Sequence, residues 1–185
     1  HDDYRMTGYD RTYPNLMTAE GIHGDEESPA NSQTLAYAFT RFLGGPADNT
    51  VCYYDGRVNR NASRAYQLAK PVCLFSPWQF LFWYDRPTGP DYGNDPELEF
   101  YNHMPTTWDE TRVLQGRIGG YALIARRKGD DWFLGFMNSG VGRTFEVPLD
   151  FLEDGRSYEA SVYSDDSSVP NKTKVRIDRL DVTRG

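Results

Sequence analysis

The sequence lacks long hydrophobic runs, has few cysteines and is short of basic side chains. No apolar stretch reaches the roughly 18 residues that a transmembrane helix needs, so we expect no membrane span. The two cysteines, Cys52 and Cys73, do not have the spacing of a zinc site. Because 27 acidic residues outnumber 20 basic ones, the formal charge is −7. Such a field repels phosphate backbones and argues against nucleic acid as a partner.

The composition is that of a folded protein with a polar surface. Hydrophobic residues make up 38% and aromatic residues 15% of the chain, at a mean hydropathy of −0.70. This aromatic content is too high for a disordered chain. The chain starts with a histidine and two aspartates and shows no initiator methionine or signal sequence there. We therefore expect it to begin within a longer protein.

The pattern of residues predicts two domains that differ in their secondary structure. In the first part of the chain, helical periodicity and breakers predict a short strand at 13–18 and helices at 33–43, 61–70 and 94–103, the second broken or kinked at Pro71. Beyond Pro105, short alternating segments between Gly, Asp and Asn predict strands at 122–126, 132–138, 143–148, 157–163 and 173–177. The prediction is a first domain over 1–102 and an antiparallel β-sandwich over 103–185.

One acidic segment is a candidate site. Glu20 and Glu26 flank two glycines, which allow a sharp backbone turn that brings both carboxylates together. Paired carboxylates bind a hard cation such as calcium, or divide into an acid and a base. Further ligands could come from nearby carboxylates, of which Asp2 is our candidate metal ligand; the others are Asp3, Asp10 and Asp25. On spacing alone, a solvated acidic surface is the simpler interpretation.

A second candidate is the aromatic segment from Phe75 to Tyr84, which includes Trp78, Phe80 and Trp83. Aromatic rings stack on sugar rings, but they also fill cores. Packing in a core is the interpretation that we favour for this segment.

Four sequence segments carry a resemblance to a known family. They are HDDYRMTGYDRTYPNLMTAEGIHGDEE, AFTRFLGGPADNT, TTWDETRVLQGRIGGYALIARR and DWFLGFMNS. In this order they resemble the C-terminal half of glycoside hydrolase family 97. The resemblance implies an α/β plus all-β fold, in which residues 1–102 are the last strands and helices of a (β/α)8 TIM barrel and residues 103–185 a C-terminal β-sandwich. It also implies a calcium-dependent α-glucosidase or α-galactosidase, periplasmic or secreted.

The resemblance also implies roles for single residues. Glu26 matches the general acid that protonates the departing glycosidic oxygen, and Glu20 matches a calcium ligand, with Glu26 touching the same ion. Inverting members have a glutamate base just after the position of His1, where this sequence has Asp2 and Asp3. The retaining mechanism is therefore favoured, and its carboxylate nucleophile would lie on an earlier barrel strand outside this chain. The expected partners are an oligosaccharide or other α-glycoside, and the rest of the barrel or a complementary chain. We expect the 185 residues alone to be inactive.

A different class of function stays open. The segment after Pro105 could be a non-catalytic carbohydrate-binding or structural β-sandwich module, with the acidic loop as ordinary surface. Binding would then survive substitution of both Glu20 and Glu26.

Overall fold

The structure, a computed structural model, describes residues 9–82 and 93–185. Its first part is built of short helices: α1 (Tyr9–Thr12), α2 (Asn31–Tyr37), α3 (Val58–Asn61), α4 (Arg64–Cys73) and α5 (Glu99–His103). Single 3-10 turns lie at Asp25–Glu27, Arg41–Gly44 and Pro96–Leu98. Two short parallel strands, β1 (Thr50–Val51) and β2 (Phe80–Leu81), pair with each other among these helices.

The second part consists of two antiparallel sheets. One sheet has the order β3 (Glu110–Arg117), β4 (Tyr121–Lys128) and β5 (Asp131–Asn138). The other is a ribbon of β6 (Ser157–Asp165) and β7 (Val175–Thr183). Glycines at positive φ, Gly119 and Gly129, make the tight turns on either side of β4. The predicted antiparallel β-domain is confirmed.

Both faces of the three-stranded sheet are covered. On one face, side chains from α2 and α4 pack on β4 and β5; this cluster is Leu35, Tyr66, Cys73, Leu74, Ala122, Ile124 and Met137. On the other, Ala125 packs with Phe151 and Leu152, against which Tyr158 of β6 and Val182 of β7 also pack. Strand β4 supplies residues to both clusters because successive side chains point to opposite faces. The sheet therefore lies between a helical layer and the β6–β7 ribbon.

Helix α4 is held against the β-domain along its length and at both ends. A Cβ atom at Gly135 of β5 would lie 2.7 Å from Cys73 Sγ and 2.9 Å from the Ala69 carbonyl oxygen. At the helix N-terminus, Asp165 of β6 accepts hydrogen bonds from the Ser63 hydroxyl and the Ala65 amide. At the C-terminus, Arg126 of β4 donates to the Val72 carbonyl oxygen over 2.5 Å. A negative group at the first end and a positive group at the second complement the helix dipole.

A proline lies inside α4 instead of ending it, which makes the predicted end at residue 70 wrong. Pro71 has no N–H to donate to the carbonyl of Gln67, one turn earlier. The hydroxyl of Tyr101, on α5, donates to that carbonyl oxygen over 2.9 Å. The helix therefore continues to Cys73 because another helix supplies the missing donor.

Several further predictions need correction. Residues 13–18 form a turn and irregular chain instead of a strand, and residues 143–148 alternate in polarity without pairing as a strand. Strand β3 was not predicted.

The cysteines are free and buried. The described residues contain one parallel strand pair, and the predicted late portion of a (β/α)8 barrel stays a prediction. The boundary at 102/103 stays a prediction, and no helix in the described part of the chain is long and apolar enough to cross a membrane.

Candidate active site

The candidate general acid lies in a single 3-10 turn, Asp25–Glu27, whose first residue points inward. Asp25 is buried, and its Oδ1 atom lies 2.5 Å from Lys70 Nζ, with Lys70 only 1% exposed. Its Oδ2 atom accepts a hydrogen bond of 3.1 Å from the amide of Cys52, which follows β1. Both carboxylate oxygens of Asp25 are therefore occupied by groups of the protein interior. The earlier suggestion of Asp25 as a metal ligand is wrong for this arrangement.

Glu26 is held through its backbone, whereas part of its carboxylate has no partner. Its carbonyl oxygen accepts a hydrogen bond of 2.7 Å from Arg57 Nη1, and Arg57 Nε in turn lies 2.6 Å from Asp55 Oδ2. The Glu26 Oε2 atom is buried without a hydrogen-bond partner. A Cβ atom at Gly24 would lie 2.3 Å from this Oε2. The carboxylate thus folds against Gly24, and a side chain at this position would displace it.

Glu20 lies at the other end of the same loop, half-buried, and its backbone is fixed by Arg41. The Arg41 Nη2 atom donates to the carbonyl oxygens of Ala19 at 2.8 Å and of Glu20 at 3.2 Å. Between the two glutamates, Gly21 has a φ of +59°, which disfavours any side chain. A Cβ atom there would also lie 2.9 Å from Arg41 Nε. The structure therefore agrees with a glycine-dependent turn between Glu20 and Glu26.

Three carboxylates of this region act on the buried thiol of Cys52. Burial, and then the charges of Asp25, Glu26 and Asp55, raise the pKa of the nearby Cys52 thiol to about 12. Burial disfavours the thiolate most, and the three carboxylates add a smaller contribution of the same sign. The guanidinium of Arg57 opposes this effect only in part.

The residues fit a calcium site in part. The buried Glu26 Oε2 is an oxygen acceptor without a partner, as a cation ligand would be. Calcium takes six to eight oxygen ligands, however. Within residues 9–82 and 93–185, no three His, Cys, Asp or Glu side chains form a group that could hold a metal ion. Asp2 and Asp3 lie outside the described residues, as does the side chain of Asp10, so their predicted role as ligands stays a prediction.

Sequence reasoning missed three basic residues of this site: Arg41, Arg57 and Lys70. Of these, Lys70 carried a usable signal, because it is a single charge in the otherwise apolar run Leu68 to Phe75. A charged side chain inside such a run is most often paired in the interior. Its partner, 45 residues earlier in the chain, was not readable from spacing.

Two side-chain pairs were also considered in the sequence analysis or lie beside the turn: His23 with Glu27, and Trp78 with Phe80. His23 and Glu27 pair with each other at the surface. Trp78 and Phe80 stack with their ring centroids 5.8 Å apart and are 54% and 42% exposed in this chain, so their expected packing against a barrel stays a prediction. Trp83 and Tyr84 lie outside the described residues.

Comparison with known proteins identifies both parts of this arrangement. Residues 107–185 match the family model described as "Glycosyl-hydrolase 97 C-terminal, oligomerisation". A retaining alpha-galactosidase of Bacteroides thetaiotaomicron is 34% identical over 186 residues, which covers 89% of this chain and 27% of the relative. A probable retaining alpha-galactosidase of Streptomyces bingchenggensis is 37% identical over 145 residues, covering 77% and 22%. The chain thus spans about a quarter of the length of these curated relatives.

A solved structure agrees over almost the whole chain. The glycoside hydrolase family 97 enzyme of Pseudoalteromonas sp. strain K8, in complex with panose, superposes with a TM-score of 0.80 at 30% sequence identity. The match covers 96% of this chain and 30% of that enzyme, so it includes the helical part that carries the acidic turn.

Proposed function

Since the chain belongs to glycoside hydrolase family 97, we propose that it carries the general acid of a retaining α-glycosidase, with Glu26 in that role. The chain works within a longer protein, because retaining hydrolysis also needs a carboxylate nucleophile and this chain spans about a quarter of its curated relatives. The activity that we propose is therefore that of the whole protein.

The observation that carries the proposal is the unpartnered Oε2 atom of Glu26. A buried carboxylate oxygen without a donor is costly unless another group meets it. In a general acid, that group is the glycosidic oxygen, which receives the proton as the bond to the sugar breaks. The neighbouring Asp25 is unsuited to the task, since Lys70 and the Cys52 amide occupy its two oxygens.

In the retaining sequence Glu26 acts twice. It first donates its proton to the leaving oxygen, while the nucleophile attacks from the other side of the sugar ring. The resulting Glu26 carboxylate then takes a proton from water, which hydrolyses the covalent intermediate. The carbonyl bond from Arg57 and the inward anchoring of Asp25 keep the Glu26 backbone fixed through both steps.

Calcium is part of the proposal, with Glu20 and Glu26 as two of its ligands. When bound, calcium supplies positive charge that stabilises neighbouring carboxylates and orients substrate hydroxyls. Support comes from the carboxylates of Asp25, Glu26 and Asp55, whose charges contribute to the raised pKa of the Cys52 thiol. The remaining ligands would come from outside the described residues or from the substrate.

We favour an α-galactoside as the substrate, because both curated relatives are named as retaining alpha-galactosidases or probable ones. An α-glucoside is the second candidate, since the Pseudoalteromonas enzyme was solved in complex with panose.

The test is hydrolysis of alkyl α-galactoside and alkyl α-glucoside by the full-length enzyme, with and without a calcium chelator. We expect Glu26→Gln to lower kcat/KM by about 10²–10⁴-fold, the usual contribution of a general acid. The anomeric form of the first product, followed by NMR, is expected to match that of the substrate. The chelator is expected to lower activity, and added calcium to restore it.

The matched control is Glu27→Gln, which removes a carboxylate from the same turn. Glu27 is 54% exposed in its side chain and pairs with His23, so its loss is expected to leave kcat/KM within a few-fold of the unmodified enzyme. Full activity in Glu26→Gln would remove this residue from the mechanism and return the acidic loop to ordinary surface.

A further inference from the structure

The turn that carries Glu26 is anchored from two sides by basic side chains. Lys70 reaches it from α4 and meets Asp25 Oδ1 at 2.5 Å, with both residues buried. Arg57 reaches it from the start of α3 and donates to the Glu26 carbonyl oxygen over 2.7 Å. Neither basic group is directed to the Glu26 carboxylate oxygen that lacks a partner. Lys70 therefore holds the turn through the Asp25 side chain and Arg57 holds it through the Glu26 backbone, and the Oε2 atom of Glu26 is left without a partner.

The anchor on the Lys70 side is itself rigid. Helix α4 is capped by Asp165 and Arg126 and packs against Gly135 without room for an added methyl group. Lys70 is one turn from the C-terminal end of this helix, so its Nζ atom has little freedom to move. The position of Asp25, and of Glu26 next to it, follows from the position of α4 on the β-domain.

We propose that Lys70 and Arg57 are positioning residues that fix the direction of the Glu26 carboxylate. Because Lys70 lies on α4, which packs on the β-domain, the β-domain in turn keeps this carboxylate in the position that proton transfer needs. The proposal rests on the assignment of Glu26 as the general acid. Loss of either anchor lets the short turn rotate, and a displacement of about 1 Å at a catalytic group is enough to cost on the order of 10²-fold in rate. The defect concerns protonation of the leaving group, because substrate contacts elsewhere are unchanged.

Two substrates separate this defect from general damage. An alkyl α-glycoside needs its leaving oxygen protonated, whereas an α-glycosyl fluoride leaves with little help from an acid. Both are used with the sugar that the unmodified enzyme cleaves. In the full-length enzyme, we expect Lys70→Met to lower kcat/KM for the alkyl glycoside by about 10- to 100-fold, as for a misplaced group. We expect the fluoride to lose no more than a few-fold.

The matched control for Lys70→Met is Leu68→Ala, on the same helix. Leu68 is 3% exposed and packs in a separate cluster with Tyr53, Leu98 and Val175. Its truncation destabilises α4 without touching Asp25, so both substrates are expected to lose activity by the same factor, if they lose any.

A second variant covers the case in which Lys70→Met, which leaves a buried carboxylate unpaired, does not fold. Arg57→Gln removes the bond to the Glu26 carbonyl from a side chain that is 35% exposed. We expect Arg57→Gln, like Lys70→Met, to lower kcat/KM for the alkyl glycoside much more than kcat/KM for the fluoride. Arg60→Gln, at an exposed position of the same short helix, is the control and is expected to change neither rate.

These variants test the positioning role of Lys70 and Arg57 separately from the general-acid role of Glu26. Equal losses on both substrates in Lys70→Met and Arg57→Gln, beside an unequal loss in Glu26→Gln, would overturn the positioning role and leave the general acid in place. Equal losses in Glu26→Gln itself would overturn the assignment of the acid, and the positioning role with it.

Discussion

Replacing Tyr101 with phenylalanine removes one hydroxyl and leaves a carbonyl inside helix α4 without a donor. Pro71 cannot supply an N–H to the Gln67 carbonyl oxygen, and the Tyr101 hydroxyl donates to it over 2.9 Å. A polar group that loses its partner in the interior costs about 1–3 kcal/mol. Because the environment is only partly buried, we expect Tyr101→Phe to cost about 1–2 kcal/mol of unfolding free energy, near the lower end of that range. The ring contacts, such as the edge contact with Tyr53 at 5.8 Å, remain.

The assay is chemical denaturation, supported by thermal unfolding. For a chain of this size the expected decrease in Tm is roughly 2–8 °C. The same substitution is then made in a Pro71→Ala background, where residue 71 regains an N–H for the Gln67 carbonyl. There we expect Tyr101→Phe to cost less than about 0.5 kcal/mol, which gives a coupling energy of about 1 kcal/mol between the two positions.

A matched control is Tyr163→Phe in the same aromatic cluster. The Tyr163 hydroxyl donates to Glu99 Oε1, but Arg179 Nη2 donates to the same oxygen over 2.7 Å, so the acceptor keeps a partner. We expect this variant to lose less stability than Tyr101→Phe. An equal cost of Tyr101→Phe in the proline and alanine backgrounds would refute the idea that the hydroxyl replaces the missing N–H.

Four further predictions concern the glycines and cysteines. Gly24→Ala would push the Glu26 carboxylate aside, since the new Cβ would lie 2.3 Å from Oε2; because this group ends a flexible side chain, we expect about 10²-fold lower kcat with little change in Tm. Gly135→Ala would overpack the contact between α4 and β5, and we expect it to lose about 1–3 kcal/mol in denaturation experiments. Burial raises the pKa of Cys52 and of Cys73 from 9.0 to about 12, so we expect both thiols to resist alkylation in the folded protein at neutral pH. Since the unfolded chain releases these protons first, the free energy of unfolding is expected to fall as pH rises above 9.0.

Open positions provide the controls for these variants. An alanine Cβ at Gly56 or Gly140 would meet no atom within 4 Å, and neither glycine has positive φ, so alanine there is expected to change neither activity nor stability. A large loss of stability in Gly24→Ala, or none in Gly135→Ala, would contradict the contacts described. Rapid alkylation of the folded protein, or unfolding free energy that holds constant above pH 9.0, would contradict the raised pKa values.

The parts of the fold that follow from local pattern were predicted from the sequence. Alternating residues gave β4, β5, β6 and β7 in outline, and the two glycines near Glu20 and Glu26 indicated the turn. Strand β3 was missed because its residues, among them two arginines, are mostly exposed and lack a clean alternation. The segment 143–148 alternates but has no neighbouring strand, and pairing depends on tertiary structure.

Residue spacing alone favoured an ordinary acidic surface, and the role of Glu26, which the family resemblance implies, stays a prediction. The contacts that anchor its turn could not be predicted, since Lys70 meets Asp25 across 45 residues and Arg57 meets the Glu26 carbonyl across 31. Pro71 was read as a helix end because the compensating hydroxyl lies 34 residues later, on another helix. The calcium ion, its ligand Asp2 and the periplasmic or secreted location stay predictions.

The caps of α4 have a consequence for the order in which the protein is completed during synthesis. Asp165, which binds the start of the helix, lies 100 residues after Ala65. At about 5–20 residues per second, roughly 5–20 seconds separate the two on the ribosome. Arg126, at the other end, follows Val72 by 54 residues. Until both have been made, α4 has no fixed ends, and Lys70 has no fixed place from which to hold the acidic turn. The acidic turn, which precedes both caps in the sequence, is therefore expected to become ordered only after they have been made.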